Sequence, residues 1–223
     1  MPTIYSTAGS DGTMLNRQSD SWASTRDDTE STYDGRTSTR DGRAVQTAKY
    51  PARGGGSSWR VGRVFLYFDT TGITEAPESA SLKIYGYGLN TADFFVVKST
   101  HTPEFAVTDF DSILGWSNSG VDNEGNVTKY SDEITSWSAS GYNTIALNST
   151  ALTDIGGEGA FLVCLIESTK DLRNVEPAQS SGDRHFTGMY FSDTSGTSND
   201  PYLDYTVASA AATDNSVFFG CNF

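Results

Sequence analysis

Two histidines, two cysteines and a scatter of carboxylates are the residues of this chain that could do chemistry. His101 lies in "KSTHTPEF" and His185 in "GDRHFTG". Neither has a second His or a Cys at metal-ligand spacing, so both read as surface loop histidines. Cys164 sits inside the apolar run "FLVCLIE" and reads as a buried, reduced and unpaired thiol; Cys221 stands near the C-terminus. Asp69, Asp193, Asp200 and Asp204 are candidates for one end of a sandwich, where an oxygen cluster could hold Ca²⁺. Their spacing matches no calcium loop, and turn-capping is the plainer role. No metal or other cofactor is expected. Serines are plentiful, but no G-x-S-x-G elbow holds one. "YGYGLNTAD" has G-x-G without the third glycine and runs into another strand, so it is no dinucleotide fingerprint. No constellation points to catalysis, and the chain reads as non-enzymatic.

Two aromatic features remain. Trp22, Trp59, Trp116 and Trp137 could form a sugar-stacking platform, although core or seam packing is the usual fate of Trp. The chain also ends "NSVFFGCNF". Val217, Phe218, Phe219 and Phe223 form an apolar tip on a polar stalk. Such a tip either plugs the end of its own fold or docks on another subunit.

The elements that must position these residues are strands. "RVFLYFD" (63–69) is a β-branched and aromatic run closed by a turn. In "SASLKIYGYG", Ala80, Leu82 and Ile84 share one face and Ser81, Lys83 and Tyr85 the other. "DFFVVKS", "YNTIALN", "AFLVCLIES", "GMYFSD" and "YLDYTV" follow, each bounded by turn residues. Two short helices are predicted, over 107–113 and 131–137, and helix should occupy under about a tenth of the chain. Many short strands with few helices predict an all-β fold, an antiparallel β-sandwich of jelly-roll type. Leu82, Ile84, Val96, Leu162, Phe191 and Leu203 are its expected core. The division is an irregular, turn-rich segment over 1–58, expected to lie as turns and short strands against the sandwich or a neighbouring chain, the sandwich over 59–207, and a C-terminal tail over 208–223.

The charge is uneven. The 223 residues carry a net charge of −13, yet residues 1–63 hold 9 Lys and Arg against 7 Asp and Glu. The arginines read as solvated turn residues. The acidic remainder excludes nucleic acid as a partner, because phosphate contacts need clustered cations. No apolar run is long enough to span a bilayer, and "MPTIYSTAGSDG" has no secretory pattern.

The stretches "RVFLYFDTTGI…APESASLKIYGYG", "VTKYSDEITSWSASGYNTIALNSTAL" and "MYFSDTSGTSNDPYLDYTV" resemble the DNRLRE-type β-sandwich family over roughly residues 1–207. The "DG…W…R" segment, "FFVVKST" and "SDTSGTSNDP" look most like its bacteriophage and prophage branch. The resemblance implies a virion-associated structural protein: a capsid-surface decoration or cement protein, or a tail accessory. It would be located in the virion, contact other capsid or tail subunits and form a homo-oligomer, with a host surface glycan as a further partner. The alternative is a carbohydrate-binding module, a role also found in this family. An exposed row of Trp or Tyr on a concave sheet face would favour that alternative. The family offers no catalytic residues to carry over.

Overall fold

A computed structural model describes residues 2–34, 39–104, 106–192 and 196–207. The described strands are β1 (Thr3–Tyr5), β2 (Gly12–Gln18), β3 (Tyr33–Asp34), β4 (Arg40–Pro51), β5 (Ser57–Asp69), β6 (Ser79–Asn90), β7 (Phe94–Lys98), β8 (Tyr142–Ala146), β9 (Ala160–Glu167), β10 (His185–Tyr190) and β11 (Tyr202–Thr206). Two α-helices are described, α1 (Trp22–Arg26) and α2 (Ser149–Gly157). Every ladder is antiparallel.

The strands form an all-β, sandwich-like fold. One sheet contains β1, β11, β6 and β8. The other runs β10-β4-β5-β2-β3, with β9 and β7 added beside the far half of β5. β6 belongs to both. Its first half, from Ser79 to Tyr85, pairs with β11 and β8, and its second half pairs with β10 through Gly86 and Asn90.

The second sheet is covered on both faces, which explains its unbroken apolar runs. From β5 and β9, Val64, Leu66, Phe68, Phe161, Val163 and Leu165 point toward the first sheet, where Leu82, Ile84, Phe191 and Leu203 meet them. The alternate residues Phe65, Cys164 and Ile166 enter a second cluster with Trp22, Phe110 and Leu172, which cover the outer face. Of the expected core, Leu82, Ile84, Val96, Phe191 and Leu203 are fully buried. Leu162 is only half-buried. It pairs with half-buried Tyr67 on the outer face, beyond the second cluster. Cys164 is a buried free thiol whose pKa burial drives far up.

Several expectations change. Residues 1–58 carry the short strands β1 to β3 and also β4, twelve residues long, which lies inside the sheet between β10 and β5. Several of their polar residues read as loop but are buried. Asp11 is fully buried and accepts from Ser6 Oγ (2.8 Å), Ser192 N (2.9 Å) and Ser192 Oγ (2.8 Å). Residues 131–137 are not helical. Ile134 exchanges backbone bonds with Phe94 (2.8 and 3.2 Å), because the edge of β7 offers a partner that a short helix would have to forgo. Of 107–113, only Val107–Asp109 forms a 3₁₀ turn. The helices lie elsewhere: α1 is capped by Ser21, and α2 by Asn148, which accepts from Ala151 N at 3.1 Å. With 3₁₀ and π turns counted, helix makes up 13% of the described residues, slightly above the predicted tenth.

Candidate binding surface

Antiparallel alternation sends Ser81, Lys83, Tyr85 and Tyr87 of β6 outward, because Leu82 and Ile84 face the core. Tyr142 of β8 is directly opposite Tyr85, and Tyr202 of β11 opposite both Lys83 and Tyr5. The outcome is a continuous strip of six tyrosines. Tyr5 meets Tyr202 at 5.5 Å between ring centroids, Tyr202 meets Tyr142 at 5.1 Å, and Tyr142 meets Tyr85 at 5.2 Å. Tyr85 continues to Tyr190 at 5.5 Å, and Tyr190 to Tyr87 at 5.4 Å. Most contacts are edge-to-face, the geometry preferred by ring quadrupoles. Arg40 closes the row, its guanidinium 4.5 Å from the Tyr87 centroid.

The rings are held in place. The Tyr142 hydroxyl donates to the carbonyls of Ser198 and Asp200, both at 3.1 Å, and the Tyr85 hydroxyl to Ser140 O at 3.0 Å. Arg40 Nη1 donates to the Tyr190 hydroxyl at 2.9 Å. Burial pushes the Tyr142 phenol up to about 12, with the neighbouring Tyr202 and Tyr5 adding to the shift. Tyr5 is 42% exposed and the other five rings half-buried, so the strip presents ring edges and parts of faces to solvent. Gly86 makes the spacing possible. A Cβ there would lie 1.8 Å from Ser138 O and 2.8 Å from Trp137 Nε1, so only glycine lets this segment pass between two outward tyrosines. Beyond Tyr87, a shallow groove of about 560 Å³, lined also by Asp41, continues past Gly42, Gly88 and Leu89 to Arg43.

The tryptophans do not form a platform. Trp22, Trp59 and Trp137 are buried, with their indole N–H groups on Asn174 (3.0 Å), Glu176 (2.9 Å) and Gly188 O (3.1 Å). Trp116 is half-buried and caps a charged knot. Two arginines expected in solvent, Arg26 and Arg63, are fully buried in that knot. Arg63 Nε and Nη2 each donate to the Asp171 carboxylate at 2.8 Å, and Nη1 to Phe110 O at 2.9 Å. Arg26 donates to Asp171 O and Asp27, and to Val121 O at 2.9 Å. Burial opposes the Arg63 cation, but Asp171 more than compensates and raises its pKa. Such a fully hydrogen-bonded, sealed cluster positions loops and leaves no group free to react.

Both histidines differ from their expected exposure. His101 is buried; its Nδ1 lies 2.7 Å from Ser99 Oγ and its ring edge-on to Phe65. Burial lowers its pKa to about 4. Half-buried His185 sits 2.8 Å from Glu167, whose hydrogen bond raises the imidazole pKa. Glu167 also accepts from the backbone N–H groups of Thr169, Lys170 and Asp171. Burial pushes this carboxyl up, and the hydrogen bonds outweigh it, leaving the pKa lowered. Asp69 caps its own turn through Thr71, and Asp204 of β11 pairs with Ser81 of β6 and Thr3 of β1. Among the described residues, no group of three His, Cys, Asp or Glu is placed to hold a metal. Val217, Phe218, Phe219, Phe223, Cys221 and Asp193 lie outside the described residues.

No protein-family model matches the chain, and no curated protein matches it. The resemblance to the DNRLRE-type family therefore rests on its quoted motifs alone.

Proposed function

We propose that this chain is a non-enzymatic binding protein whose tyrosine strip lies along a carbohydrate chain. The observation that carries this reading is the six-ring row itself, five successive contacts of 5.1–5.5 Å across one sheet face. Aromatic rings pack against the apolar faces of sugars, and tyrosine adds a hydroxyl at its rim. Rings already fixed by neighbours lose little conformational freedom on binding, which lowers the entropic cost of a shallow contact. A strip rather than a pocket suits an extended polymer, whose successive units can each meet a ring.

The test is affinity electrophoresis of the protein through gels containing soluble polysaccharides. Each ring contact contributes about 0.5–1.5 kcal/mol beyond burial, so Tyr85→Ala or Tyr142→Ala should weaken retardation by about 2- to 13-fold. Tyr67→Ala, on the other sheet, should not. Migration unaffected by every polysaccharide, or equal loss in the Tyr67 variant, would remove the reading.

The second reading is a place on a bacteriophage virion, as a surface decoration or tail accessory that presents the strip to a host glycan. The phage-branch motifs and the apolar tip of Val217, Phe218, Phe219 and Phe223 favour it. A chain truncated after Val207 should keep its melting temperature and lose incorporation into particles. Normal incorporation of the truncated chain would count against it.

A further inference from the structure

The groove that begins at Tyr87 ends at an arginine, and three more arginines lie beyond it. Arg17 of β2 is directly opposite Arg60 of β5, and Arg60 is opposite Ala48 of β4. Tyr50, two residues along β4, shares that face. Its ring lies between two cations: Arg60 Cζ is 4.5 Å and Arg184 Cζ 4.2 Å from its centroid. Arg43 covers Phe186 at 4.9 Å. Burial lowers the Arg60 pKa, and Arg17, Arg43 and Arg184 all lie near enough to lower it further.

Four cations converge here on a chain with 13 excess negative charges, and none has a carboxylate at ion-pair distance among the described residues. The nearest acid along β4, Asp41, is turned onto the Arg43 backbone N–H at 2.8 Å. Two of the donors are costly as they stand. Arg60 Nε and Arg184 Nε are shielded from solvent and have no acceptor. An unmade hydrogen bond on a shielded charged donor is destabilising. Arginine also presents a fork suited to oxyanions. A single carboxylate would neutralise one of the four charges, whereas a phosphate group brings about −1.5 to −2 and three strong acceptor oxygens.

We propose that Arg17, Arg43, Arg60 and Arg184, arranged around Tyr50, bind the phosphate groups of a phosphorylated glycan. The proposal rests on the carbohydrate reading of the tyrosine strip and supplies its ligand class. A polymer lying on the strip leaves it at Tyr87. The groove there is lined by Gly42 and Gly88, which carry no side chain to fill it. The chain can therefore pass close to the backbone and reach Arg43, the nearest of the four cations.

The experiment follows the arginine Nε–Hε signals by ¹H–¹⁵N NMR during titration with inorganic phosphate at constant ionic strength. The Arg60 and Arg184 signals should move and saturate, and Arg60→Gln or Arg184→Gln should weaken binding at least fivefold. Equal, unsaturating shifts with phosphate, sulfate and chloride would mean an adventitious ion only and would overturn the site. The source is tested with a phosphorylated polysaccharide, its dephosphorylated form, phosphatidylglycerol vesicles and a single-stranded oligonucleotide. The phosphorylated polysaccharide should bind best, at least tenfold better than its dephosphorylated form. Tighter binding of vesicles or oligonucleotide would overturn the glycan assignment. Tyr85→Ala should leave inorganic phosphate binding unchanged, so failure of the strip and failure of the arginine site give separate results.

Discussion

Replacing Asp171 by Asn should destabilise this protein more than any other isosteric change of a single carboxylate. The side chain keeps its volume and loses its charge. Arg63, with no exposed surface, then keeps its charge without a counter-charge, and one of its two 2.8 Å bonds is lost because an amide offers a single acceptor oxygen and turns its NH₂ toward the other donor. Arg26 loses its nearby counter-charge at 3.7 Å and retains only Asp27. Removing one partner of a buried pair costs about 3–5 kcal/mol. In a domain of this size each kcal/mol lowers the melting temperature by about 2–4 °C, so a fall of roughly 10 °C is expected. Urea unfolding with an unchanged slope, read by tryptophan fluorescence, measures the free energy directly. The double variant Arg63→Met/Asp171→Leu should recover most of the loss, because the cost lies in the unpaired charge rather than in the missing bond. A loss below about 1 kcal/mol for Asp171→Asn would refute this account, since water or a rearranged loop would then be solvating Arg63.

Gly86→Ala should unfold the strip locally or cost more than about 2 kcal/mol, because the new Cβ would overlap the Ser138 carbonyl and neither strand can retreat without losing core; chemical denaturation measures it, and a near-neutral result would show that residues 137–138 can move. The two histidines should bend the stability profile in opposite senses. His101 has its folded pKa lowered from 6.5 to about 4, so stability is full above about pH 6.5 and falls as pH drops toward 4, by about 3 kcal/mol at most. His185 has its folded pKa raised, so its contribution is full below about pH 6.5 and is lost as pH rises through the folded value. Melting temperatures of His101→Gln and His185→Gln across pH 4–9 should each flatten one limb of the profile, and an unchanged wild-type profile in either variant would disprove its assignment.

The fold class was legible because alternation and turn residues are local signals. "SASLKIYGYG" displays its inward and outward faces directly, and Tyr85 and Tyr87 already stand two apart on the outward one. The strip as a whole was not legible. Its six rings come from β1, β6, β8, β10 and β11, and adjacency across a sheet depends on register that no single strand reveals. The outward Y-G-Y of β6 was the available hint. The depth to which the N-terminal segment is built into the sheet was hidden for a different reason. Asp11 and Asn16 carry loop-like composition into buried positions, where Ser192 and the Thr25 carbonyl satisfy them. Arg26 and Arg63 were misread for the same cause, their counter-ion being over a hundred residues away in sequence. The helix expected over 131–137 failed because Ile134 found a strand edge first.

β6 has a mechanical consequence. It carries Tyr85 and Tyr87, and it is hydrogen-bonded to β11 and β8 in one sheet and β10 in the other. Tension applied by a tethered polymer along the strand axis would load those ladders in shear. Their bonds must then yield together, whereas a force perpendicular to the strand would open them one pair at a time. The same strand that displays the rings is therefore paired along both edges against being dragged out. Grip under flow would be limited by the rate at which the ligand slips over the rings, and the protein beneath it would outlast the contact.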